Sequence, residues 1–120
     1  MADKFMTDSI ISPRQIVLAF INALNEENFE HARDLVDDDF KFEGVLASRN
    51  GAEAYFADMQ KMRLKYGVKK VFAEGNDVCV IYEISMEGTN VLTCGLYHVT
   101  EGRLDSLRVI FDPRAVLQKA

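Results

Sequence analysis

The chain has 120 residues, 48% of them hydrophobic and 28% charged, which suits one globular domain with its own core and leaves no room for a second. With 19 acidic against 14 basic residues, a net charge of -5 and a pI near 5.0, nucleic-acid binding is disfavoured, because phosphate contacts need clustered cations. No apolar run approaches the ~20 residues of a membrane span, and Asp3 and Asp8 interrupt the start where a signal peptide would be apolar, so a cytoplasmic protein is expected.

Residues 1–11 lack a clear period and are read as an N-terminal arm, with one domain over residues 12–120. Ser12-Pro13-Arg14-Gln15 is a helix start: Ser12 can cap, Pro13 suits the first turn, and Gln15 completes a capping box. Ile16, Val17, Phe20, Ile21 and Leu24 then share one helical face, and Asn25-Glu26-Glu27-Asn28 breaks the pattern before Phe29, Ala32, Leu35 and Val36 restart it in a second helix. Asp37-Asp38-Asp39 is read as a solvated helix-to-strand turn, and a strand from Asp37 to Val45 is expected. Asn50-Gly51-Ala52-Glu53 repeats the capping logic for a third helix whose stripe, Tyr55, Phe56, Met59 and Met62, runs to a stop near Tyr66-Gly67.

From Val68 the period becomes two, most cleanly where Val78, Val80, Tyr82, Ile84 and Met86 alternate with Asp77, Cys79, Ile81, Glu83 and Ser85. Turn signals at Glu87-Gly88-Thr89-Asn90 and Glu101-Gly102-Arg103 divide this half into strands near 68–74, 77–87, 90–100 and 103–112, an antiparallel meander. Asp112-Pro113 ends the last strand, with Asp112 capping a short closing helix. In TNVLTCGLYHVT both faces carry apolar residues, and helices can cover only one, so a homodimer through the other sheet face is predicted. Cys79 and Cys94 sit in apolar strand patterns without CxxC spacing and are read as two reduced thiols, with no zinc site. Lys65, Lys69 and Lys70, the nearest thing to a basic cluster, are read as a solvated face.

This element order, with the local text VDDDFKFEG, SRNGAEAYFADM and GRLDSLRVIFDP, resembles the SnoaL-like and ketosteroid-isomerase-like proteins of the nuclear transport factor 2-like superfamily. The resemblance implies an α+β fold: three N-terminal helices on a strongly bent, mostly antiparallel sheet, forming a cone around an apolar pocket. Members of the superfamily include isomerases, cyclases, dehydratases, epoxide hydrolases and non-catalytic binding modules. In ketosteroid isomerases a carboxylate base shuttles a proton while a tyrosine and a protonated aspartic acid stabilise the dienolate oxygen. By resemblance Glu43 occupies the base position, Phe20 replaces the tyrosine, and Tyr97, before His98, replaces the aspartic acid.

Each candidate has a plain alternative. Glu43 is either a general base whose pKa is raised by Phe40, Phe42 and Val45, or an exposed strand-end carboxylate. Tyr97, with Tyr82 as a second phenol, either donates to a developing oxyanion or fills space. Asp105 shares the phase of Leu107, Val109 and Phe111 and is either a second pocket acid or a wet rim residue. Phe20, Phe56, Met59, Tyr82, Leu107 and Val109 are candidate ligand contacts, although the methionines and phenylalanines serve equally as core. His31 is placed on the surface and His98 on the outer sheet face, where Glu83 and Arg108 could pair. The expectation is a pocket for a hydrophobic, carbonyl-bearing small molecule, without cofactor or metal, either an isomerase or cyclase or a non-catalytic binding or dimerisation module.

Overall fold

The computed structural model describes residues 11–86 and 88–117; the expected arm lies almost wholly outside them, as does Glu87. Helix α1, Pro13–Asn25, begins with the reciprocal capping box: the Gln15 amide donates to Ser12 Oγ at 3.2 Å, and the Ser12 amide to Gln15 Oε1 at 2.8 Å. It buries Ile16, Val17, Phe20, Ile21 and Leu24. Helix α2, Phe29–Asp34, is capped by Asn28, which accepts from the His31 amide at 3.2 Å. Strand β1, Val36–Glu43, hairpins with the three-residue β2, Ser48–Asn50, before helix α3, Ala52–Met62. The strands β3, Lys65–Glu74, β4, Asp77–Met86, β5, Thr89–Thr100, and β6, Arg103–Phe111, form the meander, and α4, Arg114–Leu117, closes the described chain. Asp112 Oδ1 accepts from the Arg114 amide at 3.0 Å, the capping contact expected of it.

One curved, unclosed sheet results, in the order β2-β1-β6-β5-β4-β3, antiparallel except where β1 runs parallel to β6. Period-two alternation decides which side chains meet the helices. Val78, Val80, Tyr82 and Ile84 of β4 and Val91, Tyr97 and Val99 of β5 are buried beneath them, while Cys79, Ile81, Leu92 and Leu96 face outward.

The end of α1 is tied to the sheet by one side chain. Asn25 Nδ2 donates to the Tyr66 carbonyl at 2.9 Å, and its Oδ1 accepts from the Tyr66 amide at 2.7 Å, so the amide pairs with the strand as another strand would. Lys65 Nζ reinforces the join on the Asn25 carbonyl at 2.8 Å and on Glu27 at 2.9 Å. Tyr66 is thereby aimed inward at the start of β3.

Several boundaries differ from those read in the sequence. Val36 opens β1 instead of ending α2, and Asp37, Asp38 and Asp39 lie in that strand, with Asp38 2.7 Å from Arg33. The strand ends at Glu43, leaving Val45 exposed in a loop. Helix α3 stops at Met62 because Arg63 turns left-handed, with φ 48°, and Tyr66-Gly67 already belongs to β3. Its start is Gly51, φ 95°, whose amide donates to the Phe40 carbonyl at 2.7 Å, while Asn50 makes no capping bond; β-carbon-bearing residues rarely adopt that φ.

The largest departure is a β-bulge between β5 and β6. His98 pairs with Ser106 but Val99 pairs with Leu104, so Asp105 is an extra residue on β6. Its phase reverses there: Leu104 and Leu107 both point inward, and Asp105 turns to the outer face.

Candidate functional site

On the concave side, between α3 and the sheet, lies a cavity of about 320 Å³. Three buried tyrosines, Tyr55 from α3, Tyr66 from β3 and Tyr82 from β4, are in its lining. Its walls are apolar: Met59 and Met62 from α3, Met86 from β4, and Leu107, Val109 and Phe111 from β6. The rim is formed by the β1–β2 loop, with Val45 and Leu46 about half exposed, and by three charged side chains, Arg49, Asp58 and Lys61. Arg49 Nε lies 2.8 Å from Asp58 Oδ2, and Arg49 Nη1 donates to the Ser48 carbonyl at 2.8 Å, so β2 is braced against α3 across the entrance.

The Tyr82 and Tyr97 hydroxyls are 2.7 Å apart and buried. Gly95 makes their approach possible: a β-carbon there would stand 2.2 Å from the Tyr82 oxygen and 3.0 Å from the Tyr97 ring. Phe20 packs edge-on against Tyr97, centroids 6.2 Å apart, and Tyr66 against Tyr82 at 5.2 Å. Burial pushes the phenol pKa values of all four tyrosines upward, because the phenolate would lose its hydration. In the Tyr82–Tyr97 pair either hydroxyl can be the donor. Of the two only Tyr82 lines the cavity.

The outer face holds most of the ionisable groups named from the sequence. Glu43 is on this face, exposed, with Oε1 accepting from Arg108 Nη2 at 2.5 Å. The expectation that it faces the cavity mouth is corrected: Phe40 and Phe42 take the inward positions of β1, so Glu43 alternates outward. Asp105 is likewise moved from the inward to the outer side by the bulge. There it accepts from Thr100 Oγ1 at 2.7 Å and pairs with His98 Nδ1 at 2.8 Å. Partial burial works to raise its pKa, but the Thr100 and His98 hydrogen bonds outweigh it and hold the carboxyl below its usual range. Arg108 is therefore partnered by Glu43, while Glu83 lies 3.9 Å from Lys69, so the pairing expected between Glu83 and Arg108 is replaced. A second concavity, about 510 Å³, opens on this face beside Lys41, Glu43, His98 and Arg108.

Among the candidate ligand contacts, Met59, Tyr82, Leu107 and Val109 line the concave cavity. Phe20 and Phe56 do not: they stack edge-to-face at 6.4 Å in the core behind it, and Tyr97 is sealed there with them. His31 is exposed on α2. Sequence reasoning missed Arg49, Asp58 and Tyr66. Asp58 stands three residues after Tyr55 and so shares its helical face, a legible signal; Arg49 and Tyr66 owe their direction to pairings, with Phe42 and with Ile84, that no local pattern announces. Among the described residues no group of three or more His, Cys, Asp or Glu side chains is arranged to hold a metal ion, and no helix is long and apolar enough to cross a membrane.

Helices covering the concave face of a curved, mostly antiparallel sheet define an α+β protein of nuclear transport factor 2-like fold. The chain belongs to the SnoaL-like domain family, whose profile matches residues 17–117. It is 48% identical to an NTF2-like protein of unknown function from Cytophaga hutchinsonii, with a TM-score of 0.87 over 88% of this chain and 95% of that one. The fold is shared with an LEH-like epoxide hydrolase of M. tuberculosis, 24% identical, TM-score 0.74, covering 88% and 86% of the two chains. It is shared also with a putative ketosteroid isomerase from Kribbella flavida, 15% identical, TM-score 0.77, covering 83% and 77%. No curated protein sequence matches the chain.

Because every tyrosine is buried with its pKa raised, the native protein should show no phenolate absorbance near the ordinary phenol value of about 10. Their contribution to stability is intact below that value and is lost as the pH climbs from it toward the folded-state values. Absorbance and circular dichroism followed together in alkaline titration should change in one transition; phenolate appearing in a chain still folded would contradict the burial.

Proposed function

We propose that the protein binds a hydrophobic small molecule carrying an oxygen acceptor, with its apolar body among Met59, Met86, Leu107 and Val109 and its acceptor at the Tyr82 hydroxyl. The observation that carries this reading is an apolar cavity of about 320 Å³ with Tyr82 in its lining, a buried phenol whose hydroxyl shares one hydrogen bond with Tyr97. That size is at the lower end for small-molecule sites, and one directed donor in apolar surroundings is the usual means of orienting such ligands. Arg49 and Lys61 at the rim favour a ligand whose exposed end is polar or anionic.

A catalytic version has one observation in its favour. Among the described residues Asp58 is the carboxylate lining this cavity, and Arg49 fixes its direction. In an isomerase or cyclase of this type Asp58 would move the proton next to a carbonyl, and Tyr82 would steady the oxygen. Replacing Asp58 by Asn would then abolish turnover while leaving affinity nearly unchanged.

We infer a second copy of the chain as partner on the outer face. Phe72, Leu92, Leu96 and Ile110 are exposed there by 44–62% of their surface, more apolar area than a free sheet face needs, with Lys70, Glu83, His98 and Arg108 around them. Light scattering at rising concentration should give twice the chain mass, and Leu96→Glu should return it to the single-chain mass; a wild-type chain monomeric throughout would remove the partner.

Fluorescence titration with a naphthol, an apolar phenol resembling an enolate, tests the binding reading. Val109→Trp should block saturable binding by filling the cavity. Tyr82→Phe should weaken it by about 1 kcal/mol, roughly fivefold, for one neutral hydrogen bond. Glu43→Gln, on the opposite face, should change nothing. Binding that survives Val109→Trp but responds to Glu43→Gln would overturn the assignment.

A further inference from the structure

Cys79 and Cys94 belong to neither the cavity nor the ion pairs of the outer face. They lie on adjacent strands but not opposite one another: Cys79 pairs with Leu96, and Cys94 with Ile81. Such diagonal neighbours are ordinarily about 7–8 Å apart at the backbone. Here the side chains converge so that the two sulfurs are 3.2 Å apart. A disulfide needs about 2.05 Å between sulfurs and α-carbons usually within about 6.8 Å, so closing the remaining gap of about 1 Å asks for side-chain rotation together with a small approach of the two strands. Both thiols are free and half-buried.

We propose that Cys79 and Cys94 are a redox modification site, closing to a reversible disulfide within one chain when met by a low-molecular-weight disulfide such as oxidised glutathione. One cysteine, as thiolate, attacks a sulfur of the oxidant; a mixed disulfide forms, the glutathione S–S bond breaks, and one glutathione leaves and takes up the proton. The second cysteine loses its proton to solvent and attacks the protein-bound sulfur, releasing the second glutathione. Two electrons pass from the cysteine pair to the oxidant, and the two thiol protons end on two glutathione thiols. Burial and the neighbouring Cys79 raise the Cys94 thiol to about 11, so Cys94 rests as the thiol near neutrality.

The bridge joins the strands that carry Tyr82 and Tyr97, so oxidation would clamp the phenol pair from the far side of the sheet. It needs only one chain. The face it occupies is the one we assign to a second copy, and the uncovered chain is therefore the species that reacts.

The test is incubation of the reduced protein, diluted until light scattering gives the single-chain mass, with oxidised glutathione, followed by intact-mass spectrometry and thermal melting. The chain should lose two hydrogens, retain no glutathione and melt at higher temperature, with dithiothreitol reversing both changes. Cys79→Ser and Cys94→Ser should each stop at a single glutathione adduct. A wild-type chain that stays reduced, that accumulates glutathione adducts, or that forms disulfides between chains would overturn the proposal.

Discussion

Two phenol oxygens 2.7 Å apart, those of Tyr82 and Tyr97, set the geometry of the concave face. A buried hydroxyl without a partner costs about 1–3 kcal/mol, so each tyrosine is tolerated at depth because of the other. Their contact requires Gly95 between them, since any β-carbon there would stand on the Tyr82 oxygen. It also gives the packing around it its shape: Phe20 of α1 leans on one ring and Tyr66 of β3 on the other, and Tyr66 is held by Asn25 at the end of α1. Helix, edge strand and central strands thus meet at one polar point in an otherwise apolar layer, and the cavity begins where the Tyr82 ring leaves that layer.

The sheet separates two chemistries. Its concave side has phenols and thioethers, with charge confined to the rim, so a ligand entering there meets little that must be desolvated at cost. The outer side carries Glu43–Arg108 and His98–Asp105, both partly exposed, together with apolar side chains that the described helices leave exposed. Exposed ion pairs of this kind contribute little to stability. The carboxylate position that resemblance to ketosteroid isomerases would make the base is on this side, and among the described residues the carboxylate lining the cavity, Asp58, comes from a helix. The family's fold is kept while its best-known catalytic arrangement is not reproduced by these residues, as expected where function resides in sites and not in folds.

Periodicity made most of the architecture legible. The capping box at Ser12, the stripes of α1 and α3 and the alternation in β4 and β5 are local signals, and the elements lie where those signals place them. What failed was phase. One inserted residue at Asp105 reverses the facing of β6, and bulges are set by pairing between strands, not by the residues within one. Glu43 was placed by resemblance and not by period, and in β1 it alternates with the inward Phe40 and Phe42. Boundaries at Gly51 and Arg63 depend on left-handed backbone angles, which sequence signals for glycine and hides for arginine.

Methionine methyl resonances offer the most direct test of which face receives a ligand. Met59, Met62 and Met86 line the concave cavity, while the remaining two, Met1 and Met6, belong to the N-terminal segment. With carbon-13 in the methionine methyl groups and an apolar phenol added stepwise, the signals of Met59, Met62 and Met86 should shift together and saturate at one affinity. Saturable binding that leaves those three stationary would place the ligand elsewhere and contradict the account.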